Sequence, residues 1–236
     1  MSARVGEALP LGEPTDTHAA PRPTPVTITG DDVELVPLDR AVHGDALFAG
    51  AGTRDHDALW TYMHHGPFRD RSAFDAWLAA IQRRDDPLYF AIVSRALGRA
   101  VGCASLMRID APNRVVEVGG ILYTPSLQRT RGGTEAMYLL ARHVFEDLGY
   151  RRYEWKCHAL NAASRRAALR LGFTFEGVFR QHQIVKGRNR DTAWFAMLDR
   201  EWPDRRAQLE RWLAATNFDA AGRPLVPLRA QERANG

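Results

Sequence analysis

Residues 121–148 read Ile-Leu-Tyr-Thr-Pro-Ser-Leu-Gln-Arg-Thr-Arg-Gly-Gly-Thr-Glu-Ala-Met-Tyr-Leu-Leu-Ala-Arg-His-Val-Phe-Glu-Asp-Leu, and this stretch decides the fold. A β-rich apolar run, 115–123, ends at Thr124-Pro125, because proline cannot donate to a strand ladder. After a polar loop, the apolar positions 137, 140, 144 and 148 have the spacing of a helix with one buried face. Thr134 is the expected N-cap of this helix, and Gly149 the expected glycine after its end.

The loop between this strand and this helix is basic and rich in glycine. Such a loop directs free backbone N–H groups towards an anion. Arg129 and Arg131 add positive charge beside Gly132-Gly133, so the loop predicts a phosphate or pyrophosphate ligand. A plain connection would look the same, and the loop alone does not separate the two. It is not a P-loop, because no Gly-Lys-Ser/Thr follows, and the glycine spacing of a dinucleotide fingerprint is absent.

Length and composition describe an ordinary globular chain. The 236 residues include 45% hydrophobic and 25% charged residues, with a net charge of +4. The arginines are scattered among acidic residues and form no basic stripe, so we expect no nucleic-acid partner. Cys103 and Cys157 lie in apolar runs and predict buried free thiols. With no apolar stretch of 18 residues and no signal peptide, we expect a cytoplasmic protein that does not bind membranes.

The order of elements predicts a mixed α/β domain. We expect a flexible leader over 1–28, one domain over 29–215 and a polar tail over 216–236. Within the domain the patterns predict a strand at 33–38, helices at 39–49 and 72–84, strands at 88–94 and 100–109, and then the central strand and helix. A strand at 153–158, a helix from 161, a hairpin over 177–198 and a last helix at 203–215 complete it. One crossover near the centre is parallel, and the remaining strand pairs are antiparallel.

Three motifs in order resemble the GCN5-related N-acetyltransferase (GNAT) superfamily, in particular its RimJ/RimL-like branch. The first is Arg129-x-x-Gly132 before the long helix, and the second is Asn161-Ala-Ala-Ser164 followed by Leu169-Arg-Leu-Gly-Phe173. The third is the run Gly177-Val-Phe-Arg180-Gln-His182, Gly187-Arg-Asn-Arg-Asp191 and Glu201-Trp-Pro203. The family loop usually has Gly or Ala where this chain has Thr134. The resemblance implies a twisted, mostly antiparallel sheet, flanked by helices, whose parallel central strand pair splays apart.

The resemblance also implies acetyl-CoA, or another acyl-CoA, as the acyl donor. Backbone N–H groups from 131–135 would bind its pyrophosphate, the strand end at 122–124 would pair with the pantetheine amides, and Asn161 would contact the cofactor. The implied cofactor-binding residues are Leu122, Tyr123, Thr124, Arg129, Arg131, Gly132, Gly133, Thr134, Glu135 and Asn161. No metal is expected, because His64-His65 lacks a Cys or carboxylate at ligand spacing.

Catalysis would require removal of a proton from the amine that attacks the thioester. Glu117 is the candidate base, since it is the one carboxylate in the apolar run 115–118, where desolvation would make it a stronger base. A glutamate in solvent or in a salt bridge is the alternative. Ser164 resembles the family residue that protonates the leaving thiolate, although Asn161 and Ser164 could merely cap their helix. His182 is a possible second base or a solvent-facing histidine.

The acceptor would be a primary amine, on a protein N-terminus or on a small molecule. The resemblance places Trp60, Tyr62, Phe68, Arg180 and His182 on the acceptor side. We expect a monomer or a homodimer. A catalytically silent CoA-binding regulatory domain is the alternative function.

Overall fold

The computed structural model describes residues 9–228. Within this range the chain forms strands β1 (Ile28–Thr29), β2 (Val33–Pro37), β3 (Leu88–Ser94), β4 (Arg99–Asp110), β5 (Val115–Tyr123), β6 (Arg152–His158), β7 (Thr174–Val185) and β8 (Arg188–Leu198). The α-helices are α1 (Arg40–Ala51), α2 (Arg71–Ile81), α3 (Arg131–Arg142), α4 (Ala162–Arg170) and α5 (Trp202–Leu213). A 3₁₀-helix covers Arg54–Trp60, and α3 continues into a π-helical turn, His143–Asp147.

All eight strands form one sheet in the order β1-β2-β3-β4-β5-β6-β8-β7. The pair β5–β6 is parallel, and the other pairs are antiparallel. The predicted mixed α/β class with one parallel crossover is therefore confirmed. The crossover contains α3, as a parallel connection requires.

The two faces of the sheet are covered differently. Because side chains alternate along a strand, the partners Phe90 and Ala104 face one core and the next pair, Ala91 and Cys103, faces another. The first core packs under α3, α4 and α5. The second packs under α1 and α2 and reaches only as far as Leu122 of β5. Beyond that point, the second face of β6 carries the charged side chains of Arg152, Glu154 and Lys156, and Lys156 lies over Trp194 of β8.

The segments at the two ends contact the domain where the structure describes them. In the predicted leader, Ala20 is buried and its N–H donates to Ala111 O at 3.0 Å. In the predicted tail, Leu228 is buried in the first core. Residues 1–8 and 229–236 of these segments lie outside the described range.

Both cysteines are buried and unpaired, as their sequence context predicts. Among the described residues, no helix is long and apolar enough to cross a bilayer.

Candidate active site

The central parallel strand pair separates partway along its length. Cα partners join Val115–Val118 of β5 to Arg152–Trp155 of β6, and the pairing stops there. β6 continues to His158 on β8, and β5 continues to Tyr123 on β4. On the side facing β6, residues 119–123 of β5 therefore have no partner strand among the described residues. Their backbone groups form an open edge inside the sheet.

A β-bulge in β5 lies at the start of this edge. Cys103 pairs with Leu122 and Ser105 with Gly119, so β5 has one residue more than β4 in this interval. Gly120 has φ +58°, and a Cβ there would lie 2.4 Å from Tyr89 Oη. A bulge bends its strand, so Gly120 allows β5 to turn away from β6.

The first turn of α3 lies beside the open edge. Its N-cap is Thr130, whose Oγ1 accepts from Gly133 N at 3.1 Å. The prediction of Thr134 as the N-cap is wrong, because the helix begins at Arg131, four residues earlier than a cap at Thr134 would imply. A helix start leaves four backbone N–H groups without a partner inside the helix, here those of residues 130–133. The N–H of Gly133 donates to the Thr130 side chain, and the N–H of Thr130 donates to Leu127 O. Within the described residues, the N–H groups of Arg131 and Gly132 have no partner.

The two loop glycines are needed for packing. A Cβ on Gly132 would lie 3.0 Å from Val33 Cγ1, and one on Gly133 would lie 2.8 Å from Leu127 O. Both glycines therefore let the start of α3 lie close to β2 and to its own loop.

Two of the predicted cofactor residues use their side chains to attach α3 to the start of the sheet. Arg131 donates to Leu213 O at 2.7 Å and to the carboxylates of Asp32 and Asp31 at 2.6 and 3.0 Å. Glu135 is buried and accepts from the N–H groups of residues 31–33 at 2.7–2.9 Å. The side chains of Arg131 and Glu135 are therefore both engaged within the protein, and the N–H of Glu135 lies beyond the free first turn of the helix. Of these two residues, Arg131 alone can offer an anion a free group, and that group is its backbone N–H.

The remaining predicted residues of this region divide into engaged and exposed groups. Leu122 is buried, Thr124 Oγ1 donates to Val101 O at 2.6 Å, and Tyr123 Oη donates to Gly133 O at 2.6 Å. Arg129 is exposed, with φ +60°.

Arg170 is a further cation near this site that sequence reasoning missed. Its Nη1 donates to Thr134 Oγ1 at 3.2 Å, and burial lowers the pKa of its guanidinium. Arg170 therefore brings positive charge from α4 to the first turn of α3.

Asn161 and Ser164 lie where β6 leads into α4. Asn161 is the N-cap, and its Oδ1 accepts from Ser164 N at 3.1 Å. The capping interpretation is thus confirmed, and it leaves the Asn161 amide nitrogen and the Ser164 hydroxyl for other roles. Ser164 Oγ accepts from Trp155 Nε1 at 2.9 Å and also bonds to the Cys157 thiol.

Glu117 is buried but ion-paired. Its carboxylate accepts from Arg108 Nη1 at 2.7 and 2.8 Å and lies 2.9 Å from Lys156 Nζ. Lys156 is also 2.6 Å from Glu154, which contacts Arg152, and Arg152 contacts Glu176. The salt-bridge alternative is therefore the one observed. Here we call this row of six residues, Arg108–Glu117–Lys156–Glu154–Arg152–Glu176, the ion chain.

The predicted acceptor-side residues do not share one surface. Trp60 is completely buried and packs edge-on against Phe68 and Trp77, with its Nε1 donating to Ala51 O. Trp60 is therefore part of the second core, and in this structure it has no exposed atom for an acceptor.

The other predicted acceptor-side residues are accessible. Phe68 is half-buried against Trp60. Tyr62 reaches across to β6, with its Oη donating to Leu160 O at 3.3 Å. Arg180 and His182 are exposed on β7, and His182 Nδ1 lies 3.0 Å from Thr192 Oγ1.

His64 and Arg190 meet beside the ion chain, and sequence reasoning assigned no role to either of them in this site. Arg190 Nη1 lies 3.0 Å from His64 Nε2, which is 3.1 Å from Gln183 Oε1. Partial burial lowers the pKa of the His64 ring, the hydrogen bond to Gln183 raises it, and the charges of Arg190, His65 and Arg108 lower it, so the net shift is downward from 6.5. The neutral form of the imidazole therefore predominates at pH 7. No sequence spacing connects positions 64 and 190, so only the fold shows this pair.

The described residues contain no cluster of three or more His, Cys, Asp or Glu side chains arranged to bind a metal ion.

Comparison with known proteins agrees with this geometry. Residues 32–174 match the model of the acetyltransferase (GNAT) domain, which is more than half of the chain. The crystal structure of a GCN5-related N-acetyltransferase from Brucella melitensis is 46% identical, with a TM-score of 0.88 over 89% of this chain and 96% of that one. A probable acetyltransferase (GNAT family) from Chromobacterium violaceum is 39% identical, with a TM-score of 0.73 over 86% of this chain and all of that one.

A curated relative points to the same family. "Putative ribosomal N-acetyltransferase YdaF" of Bacillus subtilis is 32% identical over 107 residues, which is 44% of this chain. The match spans 57% of the length of YdaF, less than two thirds of that relative. The name agrees with the RimJ/RimL-like resemblance seen in the sequence motifs. With most of its length matched by the family model and by these structures, the chain belongs to the GNAT acetyltransferase family.

Proposed function

We propose that this acetyltransferase moves the acetyl group of acetyl-CoA to a primary amine. The observation that carries the proposal is the open edge of β5, residues 119–123, next to the free N–H groups at the start of α3. An open strand edge pairs with extended amide groups, as a peptide added to a sheet does, and pantetheine carries two amides. Free N–H groups at a helix start bind phosphate.

The residues present fit such a donor. The backbone of 122–124 would pair with the pantetheine chain, and the N–H groups of Arg131 and Gly132 would bind the pyrophosphate. Arg129 and Arg170 would supply positive charge, in place of Arg131, whose guanidinium is already paired. Acetyl-CoA supplies the activated acyl group, and the protein supplies its orientation towards the amine.

The reaction itself needs two proton transfers. The amine nitrogen forms a bond to the thioester carbon, the carbon–sulfur bond breaks, and the amine loses a proton. Ser164 is proposed to give a proton to the leaving sulfur, since its Oγ accepts from Trp155 Nε1, on the last residue of β6 that pairs with β5. Glu117 was the sequence candidate for the base, but a proton on its carboxylate would break two buried ion pairs. His182 remains the second candidate from the sequence, and His64 is a further one, because its lowered pKa leaves a ring nitrogen that can accept a proton.

The acceptor would approach from the polar face of the sheet. Tyr62, Phe68, Arg180 and His182 remain the proposed contacts, and Trp60 would support Phe68 from the core. The name of YdaF describes a ribosomal N-acetyltransferase, so peptide N-termini belong among the acceptors to be tested. Amino acids, polyamines and aminoglycosides are the small amines to test beside them.

The test is release of free thiol from acetyl-CoA in the presence of these amines at pH 7.5. We expect thiol release that requires both protein and amine, with a matching acetylated product by mass spectrometry. Ser164→Ala serves as the comparison, and it should slow release while leaving the melting temperature close to that of the parent. Binding of acetyl-CoA without thiol release for any amine would instead support the silent CoA-binding domain.

A further inference from the structure

Arg190 is a buried cation of this face that forms no ion pair with an acidic residue in the described part of the chain. The residue is 7% exposed, and its Nε is buried without a hydrogen bond. Among the described residues, the side-chain group within hydrogen-bond distance of its guanidinium is the His64 ring, whose pKa lies below 6.5. A buried guanidinium is stabilised by a carboxylate or a phosphate, and an orphaned one requires an explanation.

The neighbouring charges do not supply that partner. The ion chain consists of three cations and three anions that contact each other in alternation, so it leaves no carboxylate over. Asp191, next in sequence, accepts from Gln181 N at 2.7 Å and Asn189 Nδ2 at 2.9 Å on the hairpin. Glu117 attracts Arg190 at longer range, but its carboxylate is already paired with Arg108 and Lys156, so no described carboxylate forms an ion pair with Arg190.

Arg190 faces the acceptor side. Arg190, Thr192 and Trp194 alternate along β8, so they point to one face of the sheet. Lys156 Nζ lies 3.8 Å above the Trp194 ring, which identifies this as the face of the ion chain. His64, whose ring lies 3.0 Å from the guanidinium, is itself exposed. A molecule that contacted His64 from solvent would therefore come close to the guanidinium.

From this geometry we infer that Arg190 binds a carboxylate of the acceptor, and that the preferred acceptors are amines that carry a carboxylate close to the amino group. The inference rests on the proposed amine acetylation and specifies its substrate class. A carboxylate would supply the missing countercharge and accept hydrogen bonds from the guanidinium, which is suited to planar two-oxygen groups. Two sources have this chemistry: the α-carboxylate of a free amino acid, and the side chain of an N-terminal Asp or Glu in a peptide.

Binding of reaction products tests the inference without any turnover. Isothermal titration in the presence of CoA would compare N-acetylglycine and N-acetylserine with their uncharged carboxamides. A further pair, for the peptide source, would be two peptide amides that begin with N-acetyl-Asp and N-acetyl-Asn. Because hydrogen bonds between charged groups are about twice as strong as those between neutral groups, we expect at least one carboxylate to bind about tenfold or more tightly than its amide. The pair that shows the difference identifies the source of the carboxylate.

Variants assign the difference to Arg190. Arg190→Gln should remove the preference for the carboxylate while the amide binds as before, and Arg190→Lys should keep part of it. Arg188→Gln is the matched control, since Arg188 is exposed on the same hairpin and loses the same charge. Melting temperatures and CoA affinity would show that each variant is folded. Equal binding of every carboxylate and its amide by the parent protein would overturn the inference, as would a preference that survives in Arg190→Gln. Absence of thiol release with all amines would contradict the proposed function, and the titration would still decide whether Arg190 binds carboxylates.

Discussion

Lys156→Met should destabilise the protein strongly, although it replaces a side chain with one of similar length. The ammonium of Lys156 is buried, 2.9 Å from Glu117 and 2.6 Å from Glu154, and its side chain is 6% exposed. Removing one partner of a buried ion pair costs about 3–5 kcal/mol, because a buried charge is left uncompensated. Glu117 keeps Arg108 and Glu154 keeps Arg152, so we expect the lower end, about 3 kcal/mol.

Urea unfolding at pH 7, followed by tryptophan fluorescence, measures this loss. With an m-value of about 3 kcal/mol/M, a loss of about 3 kcal/mol lowers the midpoint by about 1 M. The control is Lys186→Met at the other lysine, which is exposed and donates to Trp60 O at 2.7 Å. It should lose about 1 kcal/mol or less.

A double variant, Lys156→Met with Glu117→Gln, tests the mechanism. The second change removes one of the carboxylates that Lys156→Met leaves uncompensated. The double variant should therefore lose about 1–2 kcal/mol less stability than the two single variants lose in total. The reasoning is refuted if Lys156→Met stays within about 0.5 kcal/mol of the parent, which is the range of ordinary surface substitutions.

Three further predictions concern the bulge, the histidines and the base. Gly120→Ala should cost about 2 kcal/mol or more and abolish thiol release, since Gly120 combines φ +58° with a Cβ contact of 2.4 Å to Tyr89. Gly98→Ala, at φ +60° in open space, should cost less, and equal urea midpoints would contradict the steric argument. Burial lowers the pKa of four histidines from 6.5 in the folded protein: His43, His64, His65 and His158. The unfolded chain therefore binds more protons than the folded one as the pH falls through 6.5, and lowering the pH from 7.5 to 5.5 should lower the urea midpoint. The decrease should be smaller in His64→Gln, and a midpoint that does not change with pH would refute this prediction. If His64 accepts the proton, His64→Gln should lower kcat at pH 7 by about 100-fold and Glu117→Gln by much less, and the reverse order of kcat values would assign the base to Glu117.

The strands and helices could largely be predicted from the sequence. The strand Val115–Tyr123 has the predicted bounds, because its apolar run, its proline and its turn are all local signals. The start of α3 was placed too late, because its first turn is not marked by apolar periodicity. That turn is held by contacts of Arg131 and Glu135 with residues about 100 positions away. Local patterns cannot show such contacts.

The site was less predictable than the fold. The sequence indicated Glu117 as an isolated carboxylate in an apolar run, and its burial follows from that pattern. Its cations come from β4 and β6, so the ion pairs depend on strand register and on the left-handed backbone of Arg108, φ +49°. The family resemblance placed Trp60 on the acceptor side, whereas the aromatic loop alone was equally consistent with a core-packing turn, which is what Trp60 forms. Its position in the chain does not show which side of the loop faces the core.

The register of the parallel pair explains why this face requires so many cations. Glu117 and Glu154 are Cα partners across β5 and β6, and like charges directly opposite each other on one face repel. Lys156 bridges the two carboxylates, while Arg108 and Arg152 each take the outer side of one of them. The β5–β6 pairing ends at Val118, one residue beyond Glu117. The bridge through Lys156 therefore holds the two strands together just before they separate. Since every charged group of the ion chain is paired with another member of the chain, none is left to pair with a charged ligand. Recognition of an anionic acceptor must then fall to a cation outside the chain, and Arg190 is the buried residue on this face that meets the requirement.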